Sequence, residues 1–385
     1  MRRIINHCME GMKFFTAILI LPIYKIFNRE KIYLIGERKD QCQDNGYHLF
    51  KYIRENHNEK KIFYCITKDS SQLNKINYLG NIVYYKSLKH YLYYLLAEKL
   101  ICAHVGSCTP DTPFTWKFEG KGIIKKRKIF IQHGISIGLI QSLMYDNTKF
   151  ETFVCGAKPE YEYIKKNFKY PDESVKYLGL CRFDNLHEFN LKNQILVMPT
   201  WRQWFGMNGN NEISIKKFKN SNYFKAYNSF INNKNLNDIL EKFDVSIIFY
   251  AHHEMQRYLE IFNTNSKKII IANEDEYDVQ TLLKESKLLI TDYSSVSFDF
   301  AYMKKPIIYY QFDDKKYYKS HYKKGYFDYE RDGFGEVTKD EGELIRCIDD
   351  ILKNKENKYV DRIDKFFVLN DSNNCKRHYE YIMNT

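Results

Sequence analysis

The chain has 385 residues, 44% of them hydrophobic and 28% charged, with a formal net charge of +12. That composition excludes a disordered polyelectrolyte, and the length exceeds most single cores, so two domains of about 150 to 190 residues are expected. The positive balance favours an anionic partner. The nine scattered cysteines, without a Cys-x-x-Cys pair or a zinc spacing, suit a reducing compartment rather than a disulfide framework.

The first thirty residues, MRRIINHCMEGMKFFTAILILPIYKIFNRE, place Arg2 and Arg3 before an apolar run from Phe14 to Ile23. That run is about half of the roughly 20 residues a membrane span requires, and no small-residue cleavage site follows it. Ile4, Ile5, Cys8, Met12, Phe15 and Leu19 recur at helical spacing, with Lys13, Lys25 and Arg29 as basic neighbours. Residues 1–30 therefore read either as an in-plane amphipathic anchor on an anionic leaflet or as a helix packed on its own protein.

From residue 31 short apolar runs alternate with helix-like segments. KIYLIG (31–36), KIFYCIT (61–67), NIVYY (81–85), LICAHV (100–105), KIFIQ (128–132), TFVCG (152–156) and VKYLG (175–179) are predicted strands, with helices such as YLYYLLAEKL and EYEYIKKNF between them. The runs are continuous rather than alternating, as in strands buried on both faces. Such strand–helix alternation predicts a parallel sheet wound on both sides. DNLHEFNLKN (184–193) is polar and unpatterned, a linker between domains. The rhythm restarts with QILVMPT (194–200), VSIIFYA (245–251), KIIIAN (268–273), LLIT (288–291) and PIIYYQF (306–312). The interval 203–222 reads as a loop and the last forty residues as charged helix. The expected architecture is α/β, two doubly wound halves (31–185 and 186–350) facing each other across a cleft, followed by a helical segment 351–385.

In open parallel sheets ligands bind beyond the carboxyl ends of the strands. His133 and Gly134 follow one predicted strand, Thr200 and Arg202 another, His252, His253 and Glu254 a third, and Thr291, Asp292, Ser294 and Ser295 a fourth. His133 is either a structural core histidine or a general base for a hydroxyl nucleophile. His252 and His253 are adjacent, so on extended backbone only one can enter a site. Ser294 and Ser295 precede a predicted helix, where they either cap it or, with its free N–H groups, seat a phosphate. Arg202 offers a planar fork for phosphate oxygens. The acids of NEDEYD (273–278) complement the dipole of a helix starting near Tyr277, so no metal site is expected there. The basic runs Lys121 to Lys128 and Lys315 to Lys324 are solvated faces or guides for a polyanionic acceptor.

ITDYSSVSFDFAYMKKPIIYYQFD together with HYKKGYFDYERDGFG (321–335) resembles the CDP-glycerol glycerophosphotransferases of teichoic-acid synthesis. MPTWR, GLCRFD (179–184) and the His-Gly pair look like the same family's pattern, and the likeness spans roughly residues 125 to 345. The resemblance implies a GT-B fold with an N-terminal acceptor domain and a C-terminal CDP-donor domain. It implies transfer of a polyol phosphate, glycerol phosphate foremost, from a CDP-polyol to a hydroxyl of a lipid-linked or polymer acceptor, with CMP released. The product would be a teichoic-acid or capsule-type polymer, made at the inner face of the cell membrane without a cofactor. His133 would activate the acceptor hydroxyl and His252 would lie near the donor phosphates, with Gly134, Thr200, Arg202, Thr291, Asp292, Ser294 and Ser295 on the substrates. Two departures bear on acceptor and donor rather than on reaction type. His133 sits in IQHGIS where Trp-His-Gly-Thr is frequent, and Tyr250 stands where Arg is common.

The nearest rival is a GT-B glycosyltransferase with a nucleotide-sugar donor, which breaks a bond at carbon instead of phosphorus. A nucleic-acid partner would call for a patterned basic helix or a stacking motif, and the sequence has neither.

Overall fold

Every predicted strand pairs in parallel with its neighbours, because most are buried on both faces and helical segments carry the chain back between them. The computed structural model describes residues 2–205, 212–320, 324–354 and 356–385, so part of the expected 203–222 loop and of the HYKKGYFDYERDGFG block lies outside the described residues. Two units result. One comprises Met1–Ile135, Ile140–Asn185 and Asp371–Thr385, the other Ser136–Leu139 and Leu186–Asn370.

The first unit holds β1 (Tyr33–Gly36), β2 (Ile62–Ile66), β3 (Ile82–Tyr84), β4 (Lys99–Cys102), β5 (Arg127–Phe130), β6 (Thr152–Cys155) and β7 (Val175–Tyr177) in the order β3-β2-β1-β4-β5-β6-β7. Register is set by pairs such as Leu34 with Phe63 and with Leu100. The order reverses between β1 and β4, the switch point at which open α/β sheets form their crevice. The second unit holds β8 (Gln194–Val197), β9 (Ser246–Phe249), β10 (Ile269–Ile271), β11 (Leu288–Thr291), β12 (Ile307–Tyr310) and β13 (Gly335–Thr338) in the order β10-β9-β8-β11-β12-β13, with its switch point between β8 and β11. β13 went unread in the sequence because GEVT has no apolar run. It pairs at the edge with β12, where a side chain on Gly335 would meet the Ile307 carbonyl.

The N-terminal helix α1 (Arg2–Phe27) packs one face on its own protein and leaves the other exposed. Phe14 and Ala17 are buried in a cluster with Tyr91 and Leu92, and Phe14 lies edge-on to Tyr91 and stacks near Phe118. Tyr24 donates to the Tyr93 hydroxyl at 3.2 Å. The opposite face leaves Met12, Phe15, Leu19, Ile23 and Ile26 exposed, Leu19 to 75%. No helix among the described residues is long and apolar enough to cross a membrane.

The segment 351–385 divides between the units, since residues from Asp371 onward group with the first. The helix Asn374–Asn384 is anchored there by Asp184, whose carboxylate accepts from the backbone N–H of Asn374 (2.9 Å) and Cys375 (2.7 Å). Lys99, buried in β4, donates to Ile382 O at 2.6 Å and Thr385 Oγ1 at 2.8 Å.

Candidate active site

In the first unit, residues following β1, β4, β5 and β7 meet past the carboxyl edge of the sheet. Gln132 has a φ of +42°, a left-handed conformation that costs energy for any residue with a side chain. It is held there by donating from its amide to Val154 O at 2.9 Å, while Asn45 Nδ2 donates to Gln132 O at 2.8 Å. The turn brings His133 past the end of the strand as an exposed residue, followed by half-buried Gly134. His133 Nδ1 lies 3.3 Å from Ala103 O. A carbonyl only accepts, so in the neutral ring Nδ1 carries the proton and Nε2 keeps a lone pair. Crowding by the surrounding protein lowers the His133 pKa below the ordinary histidine value; Asp44 and the Ala103 carbonyl oppose the shift, and Arg182 and Arg38 add to it.

Three residues of the corner around His133 escaped the sequence reading. Arg182, of the GLCRFD segment, donates from one guanidinium nitrogen to Asp44 Oδ1 and to His133 O, both at 2.8 Å. Asn45 accepts from the Arg182 backbone N–H at 3.0 Å, tying that segment to the same corner. His104 stacks on His133 with ring centroids 4.1 Å apart. Its signal, a histidine after a strand, was hidden because LICAHV was read as strand through residue 105, whereas β4 ends at Cys102.

In the second unit, Asp292 lies fully buried past β11. Its Oδ1 accepts from the backbone N–H of Thr200 at 2.8 Å and of Tyr293 at 2.6 Å, and its Oδ2 meets Arg202 at 2.8 Å. Arg202 also grips Asp313 with two nitrogens at 2.8 and 3.0 Å and donates to Thr200 O at 2.7 Å. The rings of Tyr223, Tyr293 and Tyr317 surround the guanidinium at 5.1 to 5.2 Å. Burial by itself would lower the Arg202 pKa, but Asp292 and Asp313 drive it well above the ordinary range.

The guanidinium expected on substrate phosphate is thus turned into the fold, because two inward carboxylates require a charged partner there. Asp292 and Thr291 are turned inward as well. The Thr291 hydroxyl donates to Met198 O at 2.7 Å, joining the loops after β8 and β11. The Thr200 hydroxyl is buried without a hydrogen-bond partner in the structure.

The two serines separate. Ser294 is buried, and its hydroxyl accepts from the Val296 N–H at a long 3.5 Å. Ser295 precedes the helix Val296–Tyr302, is exposed, and its side chain makes no capping bond. Capping therefore accounts weakly for Ser294 and not for Ser295. The adjacent histidines also part. His253 pairs with Glu274 at the surface, and His252 Nδ1 accepts from the Glu254 N–H at 3.2 Å, which leaves the proton of the neutral His252 ring on Nε2. Of the NEDEYD acids, Asp278 caps the helix Val279–Glu285 through the Thr281 N–H. Among the described residues no group of three or more His, Cys, Asp or Glu is arranged to hold a metal ion.

The family model for CDP-Glycerol:Poly(glycerophosphate) glycerophosphotransferase matches residues 14–384. The chain belongs to this family. It is 34% identical over 380 residues to the minor teichoic acid biosynthesis protein GgaB of Bacillus subtilis (strain 168), covering 96% of this chain and 42% of that protein. The chain therefore spans less than half of GgaB's length. Among solved structures, the wall teichoic acid polymerase TagF superposes with a TM-score of 0.67 at 16% identity over 98% of both chains. UDP-GlcNAc 2-epimerase from Neisseria meningitidis superposes at 0.54 and 10% identity over 92% of this chain and 100% of that one. At these identities the likeness is one of fold, and the fold is GT-B.

The family blocks support the site from beneath. Phe327 and Phe334, of the GYFDYERDGFG block, pack edge-on against Phe298 in the helix that Ser295 precedes. A side chain on Gly325 would collide with the Ile137 carbonyl at 2.0 Å, so that position demands glycine. In GLCRFD, Gly179 has a φ of +80° and faces Asn374, where a Cβ would clash.

Proposed function

We propose that the chain transfers glycerol phosphate from CDP-glycerol to a hydroxyl of a teichoic-acid acceptor, releasing CMP. The observation that carries this reading is the His133 ring, exposed past β5 with Nδ1 tied to a carbonyl and a lone pair on Nε2. Nε2 takes the acceptor's hydroxyl proton, the freed oxygen forms the new P–O bond, and the bond to the bridging oxygen breaks as CMP leaves. On the second unit, the Ser295 hydroxyl and the His252 Nε2–H donate to the donor phosphates. Gly134 lines the strand-end crevice of the first unit and Ser294 that of the second, where Arg202, Thr291 and Asp292 hold the loops, Thr200 among their residues. Purified protein given a panel of CDP-polyols and a lipid-linked acceptor should yield CMP and a product heavier by one polyol phosphate. Transfer of a sugar from a nucleotide-sugar, with no CMP formed from any CDP-polyol, would overturn the reading in favour of a glycosyltransferase.

The reading extends to location. The exposed stripe of α1, flanked by exposed Lys25 and Arg29, suits an in-plane contact with an anionic membrane surface on the cytoplasmic side, where a lipid-linked acceptor is met.

A further inference from the structure

His104 and His133 follow neighbouring parallel strands, β4 and β5, and their rings lie 4.1 Å apart and 10° from parallel. Arg38 Nε points at His104 Nε2 from 3.3 Å. A guanidinium can only donate, so His104 Nε2 is an acceptor and the ring is neutral with its proton on Nδ1. A protonated His104 would set an N–H against an N–H. The His104 backbone is fixed in turn by Ser107, whose hydroxyl accepts from the His104 N–H at 2.9 Å and donates to its carbonyl at 2.5 Å. The ring therefore sits at the switch point between β1 and β4 as a rigid, uncharged plate beneath the proposed base.

We infer that His104 is a positioning residue, which by stacking holds the His133 ring in the plane that keeps Nδ1 on Ala103 O and Nε2 free as a neutral base. This rests on the reading of His133 given above. The charged groups around the pair come from three segments: Arg38 and Asp44 after β1, His104 itself after β4, and Arg182 after β7. A cation on His133 would face two guanidiniums and lose water on its stacked side, with Asp44 already engaged by Arg182. Burial, His133, Arg38 and Arg182 together press the His104 pKa down to about 2, so the plate stays uncharged throughout the working range.

The test compares His104→Ala and His104→Phe in the full chain, the second keeping a flat ring and no nitrogen. The His133 titration is read by NMR of histidine-labelled protein, its signal identified by loss in His133→Gln, beside the pH profile of kcat/KM. A base must be unprotonated, so activity is lost as pH falls through the His133 pKa. In His104→Ala that pKa should rise towards the ordinary histidine value, the acid limb should move up with it, and kcat should fall about tenfold or more with the donor KM unchanged. His104→Phe should restore the wild-type titration and most of kcat. A His133 titration that stays in place in folded His104→Ala, or one that His104→Phe does not restore, would overturn the inference. A titration that moves while the rate profile stays would support the stacking and reject His133 as the base.

Discussion

His133 and Ser295 keep polar atoms available at strand ends, whereas Arg202 is enclosed, and the difference decides what each substitution does. His133→Ala should lower turnover by on the order of 10² to 10⁴ while leaving CDP-glycerol affinity nearly unchanged, measured by steady-state kinetics and calorimetry. A residual rate above about a tenth of wild type would reject the base assignment. Ser295→Ala should weaken CDP binding roughly tenfold, as for a lost hydrogen bond to a charged group, and spare CMP more. Its melting curve should stay put, since the Ser295 hydroxyl caps nothing. Arg202→Met should behave in the opposite way. It strands Asp292 and Asp313 without a counter-charge and should cost about 3 to 5 kcal/mol in chemical denaturation.

At the scale of the element, α1 has a buried face and an exposed face, which substitutions can probe separately. Leu19→Glu with Ile23→Glu alters only exposed positions, so it should release the protein from anionic vesicles in sedimentation while its melting curve is unchanged. Undiminished sedimentation would argue against the membrane contact. Phe14→Ala lies on the other face and should cost roughly 3 to 5 kcal/mol, because Phe14 fills a cluster with Tyr91 and Leu92. From sequence alone, removal of residues 1–27 is expected to release the protein without unfolding it. The buried contacts of Phe14 and Ala17 make such a truncation destabilising, and point substitutions are the cleaner test.

For the whole molecule the notable feature is that the chain's last helix belongs with its first sheet. Deleting residues 371–385 removes Ile382 and Cys375 from a core shared with Leu49, Ile53 and Ile101, and takes the acceptors from Lys99 and the donors from Asp184. The loss should exceed about 3 kcal/mol, seen as an earlier urea transition. A transition unmoved by the deletion would show that the helix contributes no stability.

Strand after strand was legible in the amino-acid order, because a strand buried on both faces requires an unbroken apolar run and a parallel pair requires a crossover between. The positions of His133, His252 and Ser295 at strand ends were legible for the same reason, and the family blocks carried the GT-B expectation. What the order of residues left open was the direction each strand-end side chain takes. Arg202 turns inward because Asp313 waits 111 positions further along, and His104 became visible only when β4 and β5 lay side by side. Ser294 and Phe14 turn inward while Ser295 and Leu19 stay exposed, for the same cause. Local pattern determines which residues reach an edge or a face, while the partners that claim them come from distant segments and exist only once the sheets have formed.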